Sequence, residues 1–377
     1  MPQDYEIIIA GLGAMGSAAA YHLAARGRRV LGLDRFQPPH SFGSSHGQTR
    51  IIREAYFEHP LYVPLIQRAY ELWGRLEQAS GRTLLQTTGG VMIGPRDGVL
   101  FAGAARSARE HRLAHQILSA PELHGKFPAF TPAEEMAGVW EPRAGILFPE
   151  LVVQTHLDLA ARHGASLRYH EPVTRWEPDG AGVRVHTATK TYRAARLLLS
   201  TGAWMNELLP GRPVPLTVER QVLYWFDPGA GAEKFLPARC PISIWEHAPG
   251  EFFYTFPNLG GGVKVARHHQ GETTCPNTVR REVGAEETET MRALLRRFLP
   301  GADGPLRSTS VCVYTNTPDD HFLHDAHPGH PAVFLASPCS GHGFKFASVI
   351  GEIAAARLEG RDVPFDLSLF RGARPGL

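Results

Sequence analysis

Apolar runs and small-residue segments alternate at the start of the chain. The run YEIIIAG at 5–11 predicts a buried strand, the segment 15–27 predicts a helix, and RVLGLD at 29–34 predicts a second buried strand. A strand, a glycine turn, a helix and a strand within about thirty residues form a βαβ unit. The pattern therefore predicts a parallel sheet, followed by a long amphipathic helix at 62–79.

The centre of the chain is less regular, and the tail returns to an α/β pattern. Residues 166–201 favour strands broken by turns, and 218–267 favour antiparallel strands with a hairpin at 252–269. The other predicted elements are strands at 89–95 and 332–337 and helices at 97–113, 284–298 and 345–358. These elements together predict a mixed α/β protein.

Composition narrows the class of protein. The 377 residues are 43% hydrophobic, which favours two intertwined domains or one large domain with insertions. A formal net charge of +2 without a Lys/Arg block argues against a nucleic-acid surface. Four cysteines without CxxC spacing argue against a zinc site or another metal centre and indicate a reducing compartment. The acidic N-terminal segment, which has no membrane-length apolar run, predicts a cytoplasmic protein outside the membrane.

A dinucleotide fingerprint lies between the first strand and the first helix. Gly11, Gly13 and Gly16 form G-x-G-x-x-G, in which the glycines permit a tight turn, a close approach to a pyrophosphate and tight helix packing. Asp34 ends the second strand, where a carboxylate accepts hydrogen bonds from a ribose and disfavours a 2′-phosphate. The fingerprint predicts nucleotide binding and leaves FAD and NAD as alternatives.

Two polar loops flank the α/β elements. The loop 35–56 is too polar for a core, and a loop of this length in a compact domain is usually functional. The segment CSGHGFKF at 339–346 forms a second such loop near the other end of the chain. Ligands bind at such positions in open α/β sheets. The candidate residues in the two loops are Ser44, His46, Arg50, Arg53, His342 and Lys345.

At these loops the chain resembles the monomeric sarcosine oxidase group, with N-methyltryptophan oxidase and peroxisomal sarcosine/pipecolate oxidase as relatives. The matching motifs are GLGAMG, GSSHGQTRIIREAY, GGGVKVARHH, CVYTNTPDDHFLHDAHP and SGHGFKF, in the order and spacing of that group. The resemblance covers residues 5 to about 370. It implies an FAD-dependent amine oxidase and resolves the choice between FAD and NAD in favour of FAD.

The resemblance implies a covalent cofactor. In this group the cysteine that matches Cys312 carries FAD as a thioether, and the arginine that matches Arg50 lies against the flavin. Ser44, Thr49, Gly341 and Gly343 fall in the matching cofactor loops. The alternative for a free cysteine is a small buried apolar residue. That interpretation is the prediction for Cys240, Cys275 and Cys339, and the group commonly has Gly-Phe where this chain has Pro338-Cys339.

The resemblance also assigns substrate and oxygen residues. Arg53 and Lys345 match the pair that binds the substrate carboxylate, and Lys264 matches the lysine that promotes the reaction with O₂. His46, His268 and Tyr254 match positions around the substrate. There they would tune the pKa of the substrate amine and polarise the site without acting as obligatory bases. Trp245 either narrows the pocket or belongs to the core. If Lys264 is only a solubilising surface residue, the protein is a dehydrogenase.

We therefore expect a monomeric flavoprotein that oxidises a secondary, N-methyl amino acid by hydride transfer to FAD and then reduces O₂. Sarcosine would give glycine and formaldehyde. Pipecolate, proline or N-methyltryptophan as substrate, another electron acceptor, and a flavin-binding module without turnover remain as alternatives. The expected fold is a Rossmann-like FAD-binding domain of residues 1–85, 145–215 and 310–377, with a substrate domain of residues 86–144 and 216–309 built on an antiparallel sheet.

Overall fold

A computed structural model describes residues 4–209, 211, 214–337 and 340–375. Pro338 and Cys339, where the chain departs from the group pattern, lie outside these ranges. The described chain forms a mixed α/β structure with three sheets. Its strands are β1 (Tyr5–Ala10), β2 (Val30–Leu33), β3 (Arg50–Ile52), β4 (Leu85–Thr87), β5 (Gly90–Pro95), β6 (Gln116–Ser119), β7 (Met136–Glu141), β8 (Gly145–Leu147), β9 (Ser166–Arg168), β10 (Arg175–Asp179), β11 (Gly182–His186), β12 (Thr191–Leu199), β13 (Thr217–Phe226), β14 (Ile242–Ala248), β15 (Glu251–Phe256), β16 (Val263–His268), β17 (Leu306–Asn316), β18 (Leu323–His327) and β19 (His330–Ser337).

The helices confirm the predicted positions within a few residues and add others. The α-helices are α1 (Ala14–Ala24), α2 (Tyr62–Ser80), α3 (Val99–Glu110), α4 (Ala120–Lys126), α5 (Pro149–Arg162), α6 (Ala285–Phe298) and α7 (Ala347–Leu358). The sequence pattern missed α5, because its buried face includes the polar side chains of Thr155 and His156. These side chains interrupt the apolar stripe by which an amphipathic helix is normally detected.

The first sheet is parallel at its centre and confirms the βαβ unit. Its strands run in the order β10-β11-β12-β1-β2-β9, and β19 also pairs with β12. The pairs β1–β12, β1–β2, β2–β9 and β12–β19 are parallel. Helix α1 packs tightly against α7, since a Cβ added at Gly351 would lie 2.5 Å from the Cβ of Ala18. The glycine turn follows directly from the carboxyl end of β1, at the edge of this sheet.

The second sheet is antiparallel except for the pair β14–β5. Its order is β17-β13-β16-β15-β14-β5-β7-β6, and the pairing of β15 with β16 confirms the predicted hairpin. Apolar residues of α6 share a core with this sheet. Trp245 is fully buried in that core, stacks on Phe253 and donates from Nε1 to Ser243 Oγ at 2.8 Å. Trp245 is therefore a core residue and does not line the pocket.

The division into two domains stays a prediction. The expected boundary between residues 309 and 310 falls inside β17, which pairs along its length with β13 of the antiparallel sheet. A small third sheet, β3-β8-β4, holds Arg50 at the start of β3. Within the described ranges, no helix is long and apolar enough to cross a membrane.

Two cysteines outside the predicted flavin position have different surroundings. Cys240 is fully buried in the core of the antiparallel sheet, which confirms the prediction of a buried apolar side chain. Cys275 is exposed, so the same prediction is wrong for it. It begins a turn whose Thr278 N–H donates to the Cys275 carbonyl at 3.1 Å, and the turn directs its side chain to solvent. Cys339 lies outside the described residues.

Candidate functional site

The glycine turn after β1 has no space for a side chain at Gly11 or Gly16. Gly11 has φ +91°, a conformation that favours glycine, and an added Cβ would lie 2.6 Å from the Ser200 carbonyl oxygen. A Cβ at Gly16 would lie 1.8 Å from the Gly11 carbonyl oxygen. Gly13, by contrast, has room for a Cβ, with Ser45 Oγ at 3.5 Å. The turn brings backbone N–H groups and the α1 N-terminus to the cleft, which is the geometry that binds phosphates.

A cleft of about 1310 Å³ of open space runs along this turn. Asp34 lines it and accepts hydrogen bonds from Leu12 N at 2.6 Å and Phe36 N at 2.8 Å. Burial raises the pKa of Asp34, and the two backbone N–H groups oppose this shift. The glycine turn and the acid that line this cleft fit a dinucleotide such as FAD. The predicted residues that line the cleft are Gly11, Gly13, Asp34, Ser44, Arg50, Gly341 and Gly343.

A second cavity of about 700 Å³, here called the inner cavity, adjoins the cleft. Arg50, Tyr314, Gly341 and Phe344 line both spaces, so the two are continuous at these residues. The inner cavity brings together seven of the residues singled out from the sequence besides Arg50 and Gly341. They are Thr49, Arg53, Tyr254, His268, Cys312, His342 and Lys345.

Cys312 lies where the cleft meets the inner cavity. Its side chain is 1% exposed, and its Sγ lies 3.6 Å from Arg50 Nη2. Arg50 is fixed by hydrogen bonds from Nη2 to the Ser44 carbonyl at 2.7 Å and from Nη1 to the Thr49 carbonyl at 2.9 Å. Burial lowers the pKa of Arg50, but the nearby Cys312 and Tyr254 raise it above its ordinary value overall. The sulfur therefore has a permanent positive charge beside it.

Arg53 and Lys345 are both buried at the inner cavity. Arg53 Nη2 contacts both carboxylate oxygens of Glu58 at 2.8 Å, and Nη1 donates to the Ala55 carbonyl at 2.7 Å. Arg53 Nε has no partner among the described residues. Lys345 Nζ donates to the His342 carbonyl at 2.8 Å, and burial lowers the pKa of Lys345 to about 7. The pair supplies one unpaired guanidinium donor and one titratable cation.

Glu58 is a functional residue that the sequence analysis missed. It follows Arg53 by five positions, and the Arg53 charge lowers its pKa although burial raises it. A buried arginine needs a carboxylate partner, because an unpaired buried charge is strongly destabilising. That requirement was the available signal, since Glu58 lies only two residues beyond the motif that contains Arg53.

Tyr314 is the second residue that the sequence analysis missed. Its hydroxyl lies 3.2 Å from His268 Nδ1, and its ring lines both the cleft and the inner cavity. Burial lowers the pKa of His268 well below its usual value, so its imidazole is neutral. Side chains two positions apart on a strand share a face. The position of Tyr314 two residues after Cys312 therefore indicated that both side chains face the same site.

Lys264 and His46 lie near a different space, of about 690 Å³, which we call the outer cavity. Lys264 Nζ donates to the Gly47 carbonyl at 2.7 Å and to the Thr49 carbonyl at 2.9 Å, and burial lowers its pKa well below 10.5. Gly47 and Trp225 line the outer cavity, and Thr49 lines the inner one, so Lys264 stands between the two spaces.

His46 lines the outer cavity and is not among the described residues that line the inner one. The structure therefore does not bring His46 to the inner cavity, and its place around the substrate stays a prediction. Its motif turns at Gly47, where φ is +99°, and this turn separates His46 from Thr49 and Arg50. His46 is 4% exposed, its Nε2 is unpartnered within the described ranges, and burial lowers its pKa to about 3.

This fold and this cleft define an FAD-dependent oxidoreductase. The chain belongs to the FAD dependent oxidoreductase family, whose model matches residues 6–357. It is 47% identical to a monomeric sarcosine oxidase of Streptomyces avermitilis, with 94% of each chain covered. It is 36% identical to a monomeric sarcosine oxidase of a Bacillus species, covering 100% of this chain and 98% of the relative. An N-methyl-L-tryptophan oxidase of Yersinia pestis is also 36% identical, with 98% and 99% covered.

Solved structures agree with the fold. NikD, an amino acid oxidase essential for nikkomycin biosynthesis, has a TM-score of 0.85 and 23% identity, with 98% of each chain covered. An L-proline dehydrogenase from P. horikoshii has a TM-score of 0.85 and 19% identity, with 99% of this chain and 98% of that chain covered. The predicted resemblance to the monomeric sarcosine oxidase group and the predicted Rossmann-like FAD fold are confirmed. The protein is an FAD-dependent amine oxidase.

Proposed function

We propose that the protein oxidises small N-methyl amino acids and transfers the electrons to O₂. With sarcosine, the reaction consumes O₂ and water and yields glycine, formaldehyde and hydrogen peroxide. The observation that carries this proposal is the pair of buried cations, Arg53 and Lys345, in a cavity continuous with the cofactor cleft. Burying two cations is costly unless an anion or acid compensates them, and Glu58 supplies only one negative charge. A substrate carboxylate supplies the second.

Different residues of the inner cavity would contact the carboxylate and the amine of such a substrate. Lys345 and the free Nε of Arg53 would hold the carboxylate and fix the position of the N-methyl group. His268 and Tyr254 would surround the amine, which must be neutral because its lone pair assists the loss of a hydride equivalent. When bound, FAD would supply the acceptor for the hydride equivalent, which carries both electrons of the oxidation. Gly11, Gly13, Gly16, Asp34, Ser44, Thr49, Gly341 and Gly343 would hold FAD.

The proposal includes a covalent tether between Cys312 and the flavin. Its support is the position of the buried sulfur at the junction of cleft and inner cavity, beside the Arg50 guanidinium. To form a thioether, the thiol and the 8α-methyl carbon each lose one hydrogen. The two electrons and two protons released would pass to O₂ and give hydrogen peroxide.

Anaerobic mixing with a substrate panel tests the function. We expect sarcosine and N-methylalanine to bleach the flavin absorbance, and re-admitted air to restore it with one peroxide per turnover. Pipecolate, proline and N-methyltryptophan test the alternative substrates, and dimethylamine is a control without a carboxylate. Bleaching by none of the amino acids would refute the function. Bleaching without reoxidation in air would make the protein a dehydrogenase.

We expect Lys264→Met to slow reoxidation of the reduced protein by about 30-fold, while anaerobic bleaching keeps its rate. One positive charge about 8 Å from the developing superoxide is worth about 2 kcal/mol at an effective dielectric constant of about 20. Burial and Arg50 lower the pKa of Lys264, and negative charge forming beside it reverses this shift. Stopped-flow absorbance at several O₂ concentrations measures the rate. An unchanged second-order rate constant would remove Lys264 from the oxygen reaction.

We expect carboxylate binding to weaken above about pH 7. The pKa of Lys345 in the free protein is lowered to about 7, so at higher pH an anion must bind together with a proton. The affinity for acetate should then fall about tenfold per pH unit above the pKa of Lys345. Titration of the flavin spectrum with acetate between pH 6 and 9 measures this slope. Lys345→Met should abolish the slope, and a slope retained in that variant would contradict the assignment.

Other features remain predictions within this proposal. The name of the relatives, monomeric sarcosine oxidase, supports a monomeric state, which light scattering of the purified protein measures. The cytoplasmic location stays the expectation drawn from the N-terminal composition, and fractionation of the source cells tests it.

A further inference from the structure

A second histidine stands directly outside the inner cavity. His269 follows β16, and its ring centroid lies 4.1 Å from that of His268 and 5.4 Å from that of Tyr314. His268 lines the inner cavity, whereas the side chain of His269 keeps 25% of its exposure. The backbone of His269 has φ +55°, which few residue types adopt readily. The fold thus holds a second imidazole one ring farther from the substrate space.

Glu219 provides a fixed negative charge behind His269. Its Oε1 accepts hydrogen bonds from Gln221 Nε2 at 2.7 Å and Gly271 N at 2.6 Å. Its Oε2 accepts from Asn316 Nδ2 at 2.7 Å and lies 3.6 Å from His269 Nδ1. A carboxylate with three such donors is held in one orientation and in its ionised form. Burial raises its pKa, but the hydrogen bonds and His269 lower it overall.

The pKa values of the two histidines are shifted in opposite directions. Burial lowers the pKa of His269, but the bond to Glu219 and the charge of Asp320 raise it overall. Burial and the neighbouring His269 both lower the pKa of His268. His269 therefore keeps its proton to a higher pH than His268 does. The titratable groups facing His269 are His268 on β16, Glu219 on β13, Tyr314 on β17, Asp320 in the loop after β17 and His342 in the loop before α7.

We propose that the His269–Glu219 ion pair is a positioning element that directs a positive charge at the inner cavity and favours the neutral form of the substrate amine over its ammonium form. This inference rests on the proposed function, because the charge can shift a protonation equilibrium only if the substrate is an amine. His269 acts through His268 and does not contact the substrate. The His269 ring contacts His268 and Tyr314, which both line the inner cavity, so its charge lies one ring away from that space.

The proposal predicts a shift of the pH profile without loss of the maximal rate. Removing the His269 charge should raise the apparent pKa of the acid limb of anaerobic flavin bleaching by about one unit. The rate at high pH should stay the same, because every substrate amine is then neutral. A structural defect would instead lower the rate at every pH.

The test variant is His269→Asn, since asparagine tolerates a positive φ. Stopped-flow bleaching by sarcosine is measured anaerobically on the holoenzyme between pH 6 and 10. His269→Lys keeps a positive charge and should restore the wild-type midpoint. Glu219→Gln should give a smaller shift in the same direction, because His269 then loses part of its charge.

Each outcome decides between the alternatives. A normal midpoint in folded His269→Asn overturns the inference, and so does a reduced plateau with an unchanged midpoint. If His269→Asn fails to fold, an unshifted midpoint in Glu219→Gln overturns it. Failure of sarcosine to bleach the wild-type flavin would refute the proposed function instead, so the two failures are distinguishable.

Discussion

Cys312→Ser is expected to leave all of the flavin in the supernatant when the protein is precipitated with acid, whereas the wild-type pellet stays yellow. A serine hydroxyl in this position cannot form the tether, because it is a far weaker nucleophile than a thiolate. The substitution is nearly isosteric and lies at a buried position, so the cofactor cleft keeps its shape. The mass of the denatured wild-type chain should exceed the sequence mass by one FAD, and that of the variant should not.

The matched control is Cys275→Ser, since Cys275 is exposed and is not among the residues that line the cleft. It should retain the colour in the pellet and the added mass. Colour that stays with precipitated Cys312→Ser would move the tether to another residue. Colour released by the wild type would show that FAD is bound without a covalent bond.

Lys345→Met should lower kcat/KM for sarcosine by roughly 100- to 1,000-fold, which is the usual range for removing one partner of a buried charge pair. Methionine keeps most of the apolar volume beneath Tyr56, whose ring lies 5.3 Å from Lys345 Nζ, so the cavity should not collapse. Steady-state peroxide release and anaerobic bleaching measure the loss.

Lys190→Met, on an exposed turn, is the matched control and should behave as the wild type. The slow bleaching by an amine without a carboxylate should be equal in Lys345→Met and wild type, because that amine does not use the clamp. An unchanged kcat/KM for sarcosine in Lys345→Met would assign carboxylate binding to other residues. Equal losses for both amines would indicate a distorted cavity.

The elements with simple periodicity were predictable from the sequence. The strand and helix around Gly11 and the helix α2 have uninterrupted apolar patterns, and the antiparallel hairpin has a clear glycine turn between its strands. The small sheet that holds β3 was not predictable, because its strands are only three residues long. A strand that short carries no alternation by which to recognise it.

The site was predictable where residues belong to motifs and not where partners come from elsewhere. Cys312, Arg53 and Lys345 were found because motifs mark them. Glu58 required knowing that Arg53 is buried, and burial is a tertiary property. The distance between His46 and the inner cavity depends on one left-handed turn at Gly47, which the motif letters do not reveal. His269 is the same residue type as its neighbour His268, yet the fold shifts the pKa values of the two in opposite directions.

The register of strand β17 decides whether the proposed cofactor tether faces the cleft at all. Cys312 pairs with Gln221 and Tyr314 with Glu219, so the ladder with β13 sets the face on which both side chains stand. Slipping this ladder by one residue would turn the sulfur and the phenol to the opposite side together. A single inserted or deleted residue in either strand would therefore abolish attachment outright.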